Sequence, residues 1–319
     1  MFHRSHSTAE GVVLGFGEPP IPDPLAGDIA RAVYAELREE FLPEILAGRH
    51  AQDALFTIGA AHVGGRLAAC CWTGAGRRRP EIGVMAGVVT LPEYRGKGIA
   101  STLVRDACDR FDHNGGRHLL LGVSNPVARR IYEKLGFRNV VGQILMRGEG
   151  LEQGGDPSPD GLVSRPATPG DIGGVVPLYL QPHPAILLDA GIRMPSSRVV
   201  PPWRCVRIFW DSWNSVRDGG RWSVLADESG RLAGSALART SAFGFHVDFF
   251  WSPLYSTAGR EFAAAFIAGL AAPCELLIPI SDDWKLTEAR LLGFRPAAGP
   301  EEEIEIQGRL FRLTRHRLA

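Results

Sequence analysis

This chain of 319 residues contains only five cysteines, which is an odd number. No Cys-x-x-Cys pair occurs among the five thiols, so the sequence suggests neither a disulfide framework nor a zinc site. A reducing compartment is the plain expectation for such a pattern. The cysteines are Cys70, Cys71, Cys108, Cys205 and Cys274.

Net charge and long apolar runs are lacking as well. Lysine plus arginine and aspartate plus glutamate each number 35, which leaves no general basic field to attract nucleic acid or a membrane surface. No apolar run approaches the ~18 residues of a membrane span, and residues 1–10 lack the apolar core of a signal peptide. We therefore expect a cytoplasmic protein without a membrane partner, and nucleic acid is disfavoured. The oligomeric state stays open.

The most informative stretch of the sequence is Val88–Ala100. An apolar run rich in β-branched residues ends at Leu91-Pro92, a glycine-rich turn Arg95–Gly98 follows, and amphipathic spacing then predicts a helix from Ile99 to Phe111. Glycines let backbone N–H groups crowd together, and the first turn of a helix leaves its own N–H groups unpaired. This strand, turn and helix predict an anion site that suits phosphate.

Three kinds of phosphate loop can be compared with this turn. A P-loop fails, because Gly98 stands where a hydroxyl residue is needed. A dinucleotide fingerprint is weak, since Ser101 replaces the third glycine and no carboxylate follows the next strand, Leu119–Val123. The pattern Arg/Gln-x-x-Gly-x-Gly/Ala fits Arg95–Ala100 at every specified position. That pattern resembles the acyl-CoA pyrophosphate loop of the GNAT N-acetyltransferase superfamily; a glycine-rich turn without a ligand is the alternative.

A second motif strengthens the resemblance. Residues 124–137 are similar to the other GNAT signature, in which Asn, Ala and Tyr precede Leu-Gly-Phe. The residues also suit a helix locally: Asn125 is a good N-cap, Pro126 fits the first helical position, and Gly136 fits the end. The two motifs together cover roughly residues 80–147 and resemble the superfamily strongly.

The resemblance implies an α/β fold with a mixed, twisted sheet. In the family the fourth and fifth strands splay apart and admit the pantetheine arm; here they would be Glu81–Thr90 and His118–Val123. The implied donor is acetyl-CoA or another acyl-CoA, and no metal is implied. The implied reaction is direct attack of a small-molecule amine on the thioester in a ternary complex.

The resemblance also implies roles for particular residues. Tyr132 would be the catalytic acid that relieves the departing thiolate. Backbone groups of the fourth strand would hold pantetheine and the oxyanion, the loop would hold pyrophosphate, and Asn125 would contact the pantetheine arm. The strand residues are Val88, Val89 and Thr90, and the loop residues are Arg95, Gly96, Lys97, Gly98, Ile99 and Ala100.

The general base stays open in the sequence. A family position that carries glutamate falls near Val84, which cannot take a proton, and Glu81 is off register. Four other side chains could act, although each is more typical of a solvated or structural polar residue. They are Glu36, Glu40, Asp53 and His62.

A second, divergent copy of the same domain is predicted in the C-terminal half. Val163–Ile172 resembles the opening of another GNAT domain, and Leu292–Phe294 repeats Leu135–Phe137. The counterpart of the glycine loop, Pro253–Arg260, has one glycine, and Glu288 or Ala289 stands where a tyrosine belongs. We therefore predict two tandem GNAT-like domains: a catalytic, acyl-CoA-binding domain over 1–147, a linker over 148–161, and a degenerate domain over 162–319.

Several alternatives to an acyl-CoA-dependent N-acyltransferase stay open. The donor could be a carrier protein or an aminoacyl-tRNA, or the chain could be a non-catalytic sensor of acyl-CoA. Six of the seven tryptophans lie in the second half, where they either pack cores and domain interfaces or line an acceptor pocket. The pocket alternative rests on Trp203, Phe209, Trp210 and Trp213.

Overall fold

Two sheets of eight strands each organise the chain. The structure is a computed structural model that describes residues 3–7, 11–148, 161–202 and 206–318. Its contacts form two compact units. The first comprises Met1–Gln153, Thr168–Gly173 and Cys205–Arg207, and the second Gly154–Ala167, Gly174–Arg204 and Ile208–Ala319. The domain bounds given above stay a prediction, and most of the predicted linker lies outside the described residues.

The sheet of the first unit is antiparallel except for one parallel pair. Its strand order is β1-β2-β3-β4-β5-β6-β8-β7, and only β5 and β6 run parallel. The elements are β1 (His3–Ser7), β2 (Val12–Gly17), α1 (Leu25–Leu37), α2 (Leu42–Leu46), β3 (Ala54–Val63), β4 (Arg66–Gly76), β5 (Ile82–Thr90), α3 (Ile99–His113), β6 (His118–Gly122), α4 (Pro126–Lys134), β7 (Arg138–Val141) and β8 (Ile144–Arg147).

Helix α3 covers one face of this sheet with the residues that its sequence pattern indicates. The helix buries six apolar side chains at a spacing of three and four residues, and its charged residues lie between them. These side chains join a core cluster with residues of β2, β4 and β6. The buried six are Ile99, Leu103, Val104, Ala107, Cys108 and Phe111.

Strands β5 and β6 part after three residue pairs. Ile82 lies opposite His118, and the last pair joins Val84 and Leu120, although β5 continues to Thr90. Over Ala86–Thr90, β5 therefore pairs with β4 on one side and has no strand partner on the other among the described residues. The predicted splay of these two strands is present.

A β-bulge interrupts β5 within this parted stretch. Val89 lies opposite Cys70 and Ala86 opposite Trp72, so Gly87 and Val88 together face a single residue of β4. Gly87 has φ +60°, and a Cβ there would lie 2.6 Å from Cδ1 of Trp72. Both the backbone conformation and the indole beside it require glycine at this position.

The second unit adds fourteen further elements along the chain. They are β9 (Val163–Pro166), α5 (Ile172–Leu180), β10 (Leu187–Asp189), β11 (Met194–Pro195), α6 (Val206–Ser215), β12 (Arg221–Ala226), β13 (Leu232–Ser241), β14 (Gly244–Trp251), α7 (Ser256–Ala268), β15 (Cys274–Pro279), α8 (Asp283–Leu291), β16 (Phe294–Pro296), β17 (Glu302–Ile306) and β18 (Arg309–Leu318). Residues 168–173 and 206–207 of this stretch group with the first unit.

The two sheets share one topology. The path β9-β12-β13-β14-β15-β18-β16 repeats β2-β3-β4-β5-β6-β8-β7, and in both paths one central pair is parallel. A 3₁₀ turn that opens with proline follows the strand before the long helix in each copy, Pro92–Tyr94 and Pro253–Tyr255. The predicted fold class, two tandem mixed α/β domains, is confirmed.

Aromatic side chains fill the second unit. The ring centroid of Phe209 lies 5.3 Å from that of Trp210 and 5.1 Å from that of Trp222, and all three side chains are buried. Packing is thus the role that the structure shows for Phe209 and Trp210, while Trp203 lies outside the described residues. Across the described part of the chain, no helix combines the length and apolar character that a membrane crossing needs.

Candidate active site

The glycine-rich loop leaves the N-terminus of α3 open. Gly96 has φ +78° and Gly98 φ +72°, a region that favours glycine, and a Cβ at either position would meet no atom within 4 Å. Gly98 is the N-cap of α3, and no side chain caps the helix. Ile99 is buried and Ala100 half-buried, so these residues offer backbone N–H groups rather than side chains. The cradle fits an anion at the positive end of the helix dipole.

The two cations of the loop have partners on the same surface. The Nε of Arg95 donates to the carbonyl of Thr90 at 3.0 Å, and its guanidinium pairs with Glu36 of α1 at 2.8 Å. The ammonium of Lys97 lies 5.5 Å from the ring centroid of Tyr94. Arg95 and Glu36 are both well exposed, and an exposed ion pair is weak enough to be exchanged for a ligand. Glu36, one of the predicted base candidates, is thereby engaged by the loop.

The open edge of β5 leads directly to this loop. Val88 and Thr90 are half-buried and Val89 is 4% exposed, and the three residues lie where β5 has already left β6. Backbone groups on such an edge can bind an extended ligand in the way that an added strand would bind. The structure thus brings the predicted strand residues and the predicted loop residues together.

Asn125 caps helix α4, as the sequence predicts. Its Oδ1 accepts from the backbone N–H of Val127 at 2.8 Å and of Ala128 at 3.3 Å. Because Oδ1 is engaged, any contact with a ligand falls to the side-chain NH₂ group.

Tyr132 lies inside the core of the first unit. Its side chain is 6% exposed, its ring packs edge-on against Phe137 at 5.7 Å, and it belongs to the cluster that contains Cys71 and Cys108. Burial raises the pKa of the Tyr132 hydroxyl well above its usual value, so the group stays protonated at neutral pH. A proton donor must be protonated before the reaction, and a tyrosine that only packs in the core would be protonated as well.

The thiols near this core are not nucleophiles. Burial raises the pKa of Cys70 and of Cys108 to about 12, and it also raises the pKa of Cys71. A thiol is reactive as its thiolate, so these three groups are inert at neutral pH.

A carboxylate that the sequence did not single out reaches the bulge of β5. Glu39, which follows α1, accepts a hydrogen bond from Nε1 of Trp72 at 3.4 Å and a backbone hydrogen bond from Gly87. Burial raises the pKa of Glu39 to about 7. In the sequence nothing separates Glu39 from its neighbours Glu36 and Glu40, because both contacts come from strands distant along the chain.

The comparisons with known proteins point to one family. Residues 26–137 match the model of the acetyltransferase (GNAT) family. Within these residues the chain carries a GNAT acetyltransferase domain. No curated protein matches the chain.

Solved structures with weak likeness to the chain are also acetyltransferases. A putative GNAT-family acetyltransferase from Desulfovibrio desulfuricans is 18% identical, with 42% of this chain and 98% of that chain covered and a TM-score of 0.36. A GCN5-related N-acetyltransferase from Kribbella flavida is 17% identical, with 97% and 72% covered and a TM-score of 0.39. Spermidine N-acetyltransferase from Vibrio cholerae, in complex with CoA and spermine, is 16% identical, with 49% and 94% covered and a TM-score of 0.35.

In the second unit, side chains occupy the strand edge that corresponds to the open edge of β5. Strands β14 and β15 also part early, after Phe245–Cys274 and His246–Glu275. Beyond that point Nζ of Lys285 donates to the carbonyl of Phe249 at 2.6 Å, and Nε2 of His183 contacts the carbonyl of Trp251 at 2.6 Å. Side chains therefore contact backbone carbonyls of β14 at hydrogen-bond distance in the stretch where β14 no longer pairs with β15.

The segment 183–190 accompanies these side chains. The N–H of Ala190 donates to Asp248 of β14 at 2.8 Å, and the N–H of Ile186 donates to Asp282 at 2.6 Å. Lys285, which is 1% exposed, pairs with Asp248 and also donates to the carbonyl of Leu188 at 3.1 Å. The carbonyls of Phe249 and Trp251 are therefore already hydrogen-bonded by side chains of the same unit.

Other features of the candidate site have no counterpart among the described residues of the second unit. No register shift interrupts the pairing of β13 with β14, and α7 begins directly after its 3₁₀ turn without a glycine loop. Ala289 is buried and has no proton to give, and Glu288 is bound by Arg260 through contacts of 2.7 and 3.0 Å. The described residues of the chain hold no group of three or more His, Cys, Asp or Glu placed for a metal ion.

The buried pair of the second unit gives a stability prediction. Lys285→Met should lower the free energy of unfolding by about 3–5 kcal/mol, because Asp248 keeps a buried charge without its partner. Asp248→Asn combined with Lys285→Met should recover part of that loss, since the amide still accepts from Ala190. Urea denaturation followed by circular dichroism measures both.

The exposed Lys134 at the end of α4 supplies the control. Lys134→Met should change stability by about 0.5 kcal/mol or less. If Lys285→Met is as mild as this control, the lysine does not stabilise the occupied strand edge.

Proposed function

We propose that this protein is an acyl-CoA-dependent N-acyltransferase that moves an acyl group, acetyl in the first instance, to the amine of a small molecule. One observation carries the proposal: an open glycine loop at the N-terminus of α3 adjoins the edge of β5 that has no strand partner among the described residues. The first feature fits a pyrophosphate and the second an extended pantetheine arm. We also keep the prediction of a cytoplasmic location.

Bound acyl-CoA supplies an activated thioester carbonyl. The N–H groups at Gly98–Ala100 would hold its pyrophosphate, with Arg95 and Lys97 adding positive charge. The backbone of Val88–Thr90 would align the arm and donate to the oxyanion that develops on the carbonyl. The Tyr132 O–H would give its proton to the departing sulfur.

The test of this function is the release of free thiol from acetyl-CoA in the presence of amines. A panel of polyamines, amino acids and peptide amines should contain at least one acceptor that accelerates thiol release. Tight binding of acetyl-CoA without turnover by any amine would favour the sensor alternative. Turnover with an acyl carrier protein or an aminoacyl-tRNA, but not with acyl-CoA, would favour the alternative donors.

We expect one acetyl-CoA site per chain. The first unit has the open loop and edge, whereas in the second the corresponding edge is occupied, so calorimetric titration should give a single site. Gly98→Val should abolish this binding, because its side chain would enter the space in front of the helix N-terminus.

Gly115→Val is the matched control for the loop variant. Gly115 has φ +89° and open space around its Cβ position, like Gly98, but it follows the other end of α3. The control should suffer the same backbone strain and still bind acetyl-CoA. Two equivalent sites in the native chain, or unaltered affinity in Gly98→Val, would contradict the assignment.

Tyr132→Phe should keep the affinity for acetyl-CoA and lower kcat by about 10²-fold. The phenyl ring preserves the packing against Phe137, while the proton donor is lost. Steady-state kinetics at saturating substrates measure the effect. A loss of less than about twofold would leave Tyr132 as a packing residue.

A further inference from the structure

We propose that Glu39 is the general base that takes the proton from the attacking amine. This inference rests on the transferase function proposed above and adds a residue to it. The carboxylate of Glu39 accepts from Nε1 of Trp72 at 3.4 Å and from the backbone of Gly87. Two strands therefore hold a carboxylate that belongs to the segment after α1.

The position of this carboxylate along β5 is the first argument. Gly87 and Val88 form the bulge, and the bulge lies three residues or more past Val84, the last residue of β5 that pairs with β6. Glu39 thus reaches the part of β5 whose outer edge is open. This is the part of the strand beside which the thioester would lie.

The packing around Glu39 fixes its position. The indole of Trp72 lies only 2.6 Å from the position that a Cβ at residue 87 would take. Its ring packs edge-on against those of Phe41 and Phe56, with centroid distances of 6.2 Å and 5.9 Å. Trp72 is 1% exposed, so the donor that holds Glu39 is itself packed on all sides. A base held in this way loses little entropy when it meets its substrate.

Glu39 and Tyr132 lie toward opposite faces of the sheet. Successive side chains of a strand point to opposite faces. On β4, Cys71 joins the cluster of α3 and Tyr132, and its neighbour Trp72 packs against Phe41 and contacts Glu39. A proton can therefore be taken on one side of the parted strands and given on the other.

The charges around Glu39 leave burial as the main influence on its pKa. Trp72, Arg207 and Gly87 lower the pKa, and the stronger effect of burial raises it to about 7. Cys70 of β4, on the same face as Trp72, is a titratable neighbour, and with a pKa of about 12 its thiol is neutral at pH 7. Strand β5 carries no titratable side chain. A base is most effective when its pKa lies near the working pH.

The step assigned to Glu39 is a proton transfer that accompanies formation of the amide bond. The nitrogen of a neutral amine forms a bond to the thioester carbonyl carbon, and the carboxylate of Glu39 accepts the proton that this nitrogen must lose. The carbon–sulfur bond breaks, its electron pair leaves with sulfur, and the sulfur receives a proton. Glu39 returns its own proton to water after the amide has left.

The experiment compares Glu39→Gln with the native chain in pH–rate profiles. With an acceptor amine that itself stays neutral between about pH 5 and pH 8, kcat/KM of the native chain should fall as the pH drops below about 7, because protonation removes the base. Glu39→Gln should lower kcat/KM at pH 7.5 by about 10²-fold, abolish this acidic limb, and leave the affinity for acetyl-CoA unchanged. Glutamine has the same shape as glutamate and keeps one oxygen that can accept from Trp72, so the local packing should survive.

Glu40→Gln is the matched control, because Glu40 is the exposed neighbour of Glu39. It should keep both the rate and the acidic limb. An active native chain whose acidic limb persists in Glu39→Gln would overturn the role of Glu39 and leave the transferase function intact. A native chain inactive with every amine would instead overturn the function itself.

A measurement on the native chain removes any dependence on how well the variant folds. The carboxyl carbon of Glu39 in ¹³C-glutamate-labelled protein should titrate near pH 7 by NMR. A carboxyl set that titrates entirely below about pH 5 would contradict the proposal, because Glu39 would then lack the basicity assigned to it.

Discussion

The early parting of one parallel strand pair is the constraint on which the rest of the structure depends. Backbone N–H and C=O groups need partners, and a strand that loses its neighbour must find other ones. In the first unit β5 runs on to Thr90 after its last pair with β6, and the open edge leads to the uncapped N-terminus of α3. The candidate site lies where β5 continues without the regular pairing to β6.

The second unit meets the same constraint in the opposite way. Strand β14 also leaves its parallel neighbour early, but Lys285 and His183 take up its carbonyls and a chain segment accompanies them. The bulge is absent there, as is the glycine loop. One topology therefore leaves an open strand edge in one copy and an occupied one in the other. The difference lies in a bulge, a glycine loop, an added chain segment and a few side chains.

Local features of the fold could be predicted from the sequence, and distant contacts could not. The six buried positions of α3, the cap at Asn125 and the turn at Gly96–Gly98 each depend on neighbours within a few residues. Strand β1 lies in a polar segment without strand periodicity, and only its pairing with β2 reveals it. The sequence does not distinguish Glu39 for the same reason, since Trp72 and Gly87 are far from it along the chain.

The fit of Trp72 against Gly87 has a consequence for the divergence of this chain. Any side chain at position 87 would collide with the indole, so the two positions are not free to change separately. A relative that gains a side chain at 87 should carry a smaller residue at 72, and the carboxylate at 39 would then lose its donor. Positions 39, 72 and 87 should therefore vary together or stay fixed together in an alignment of homologues.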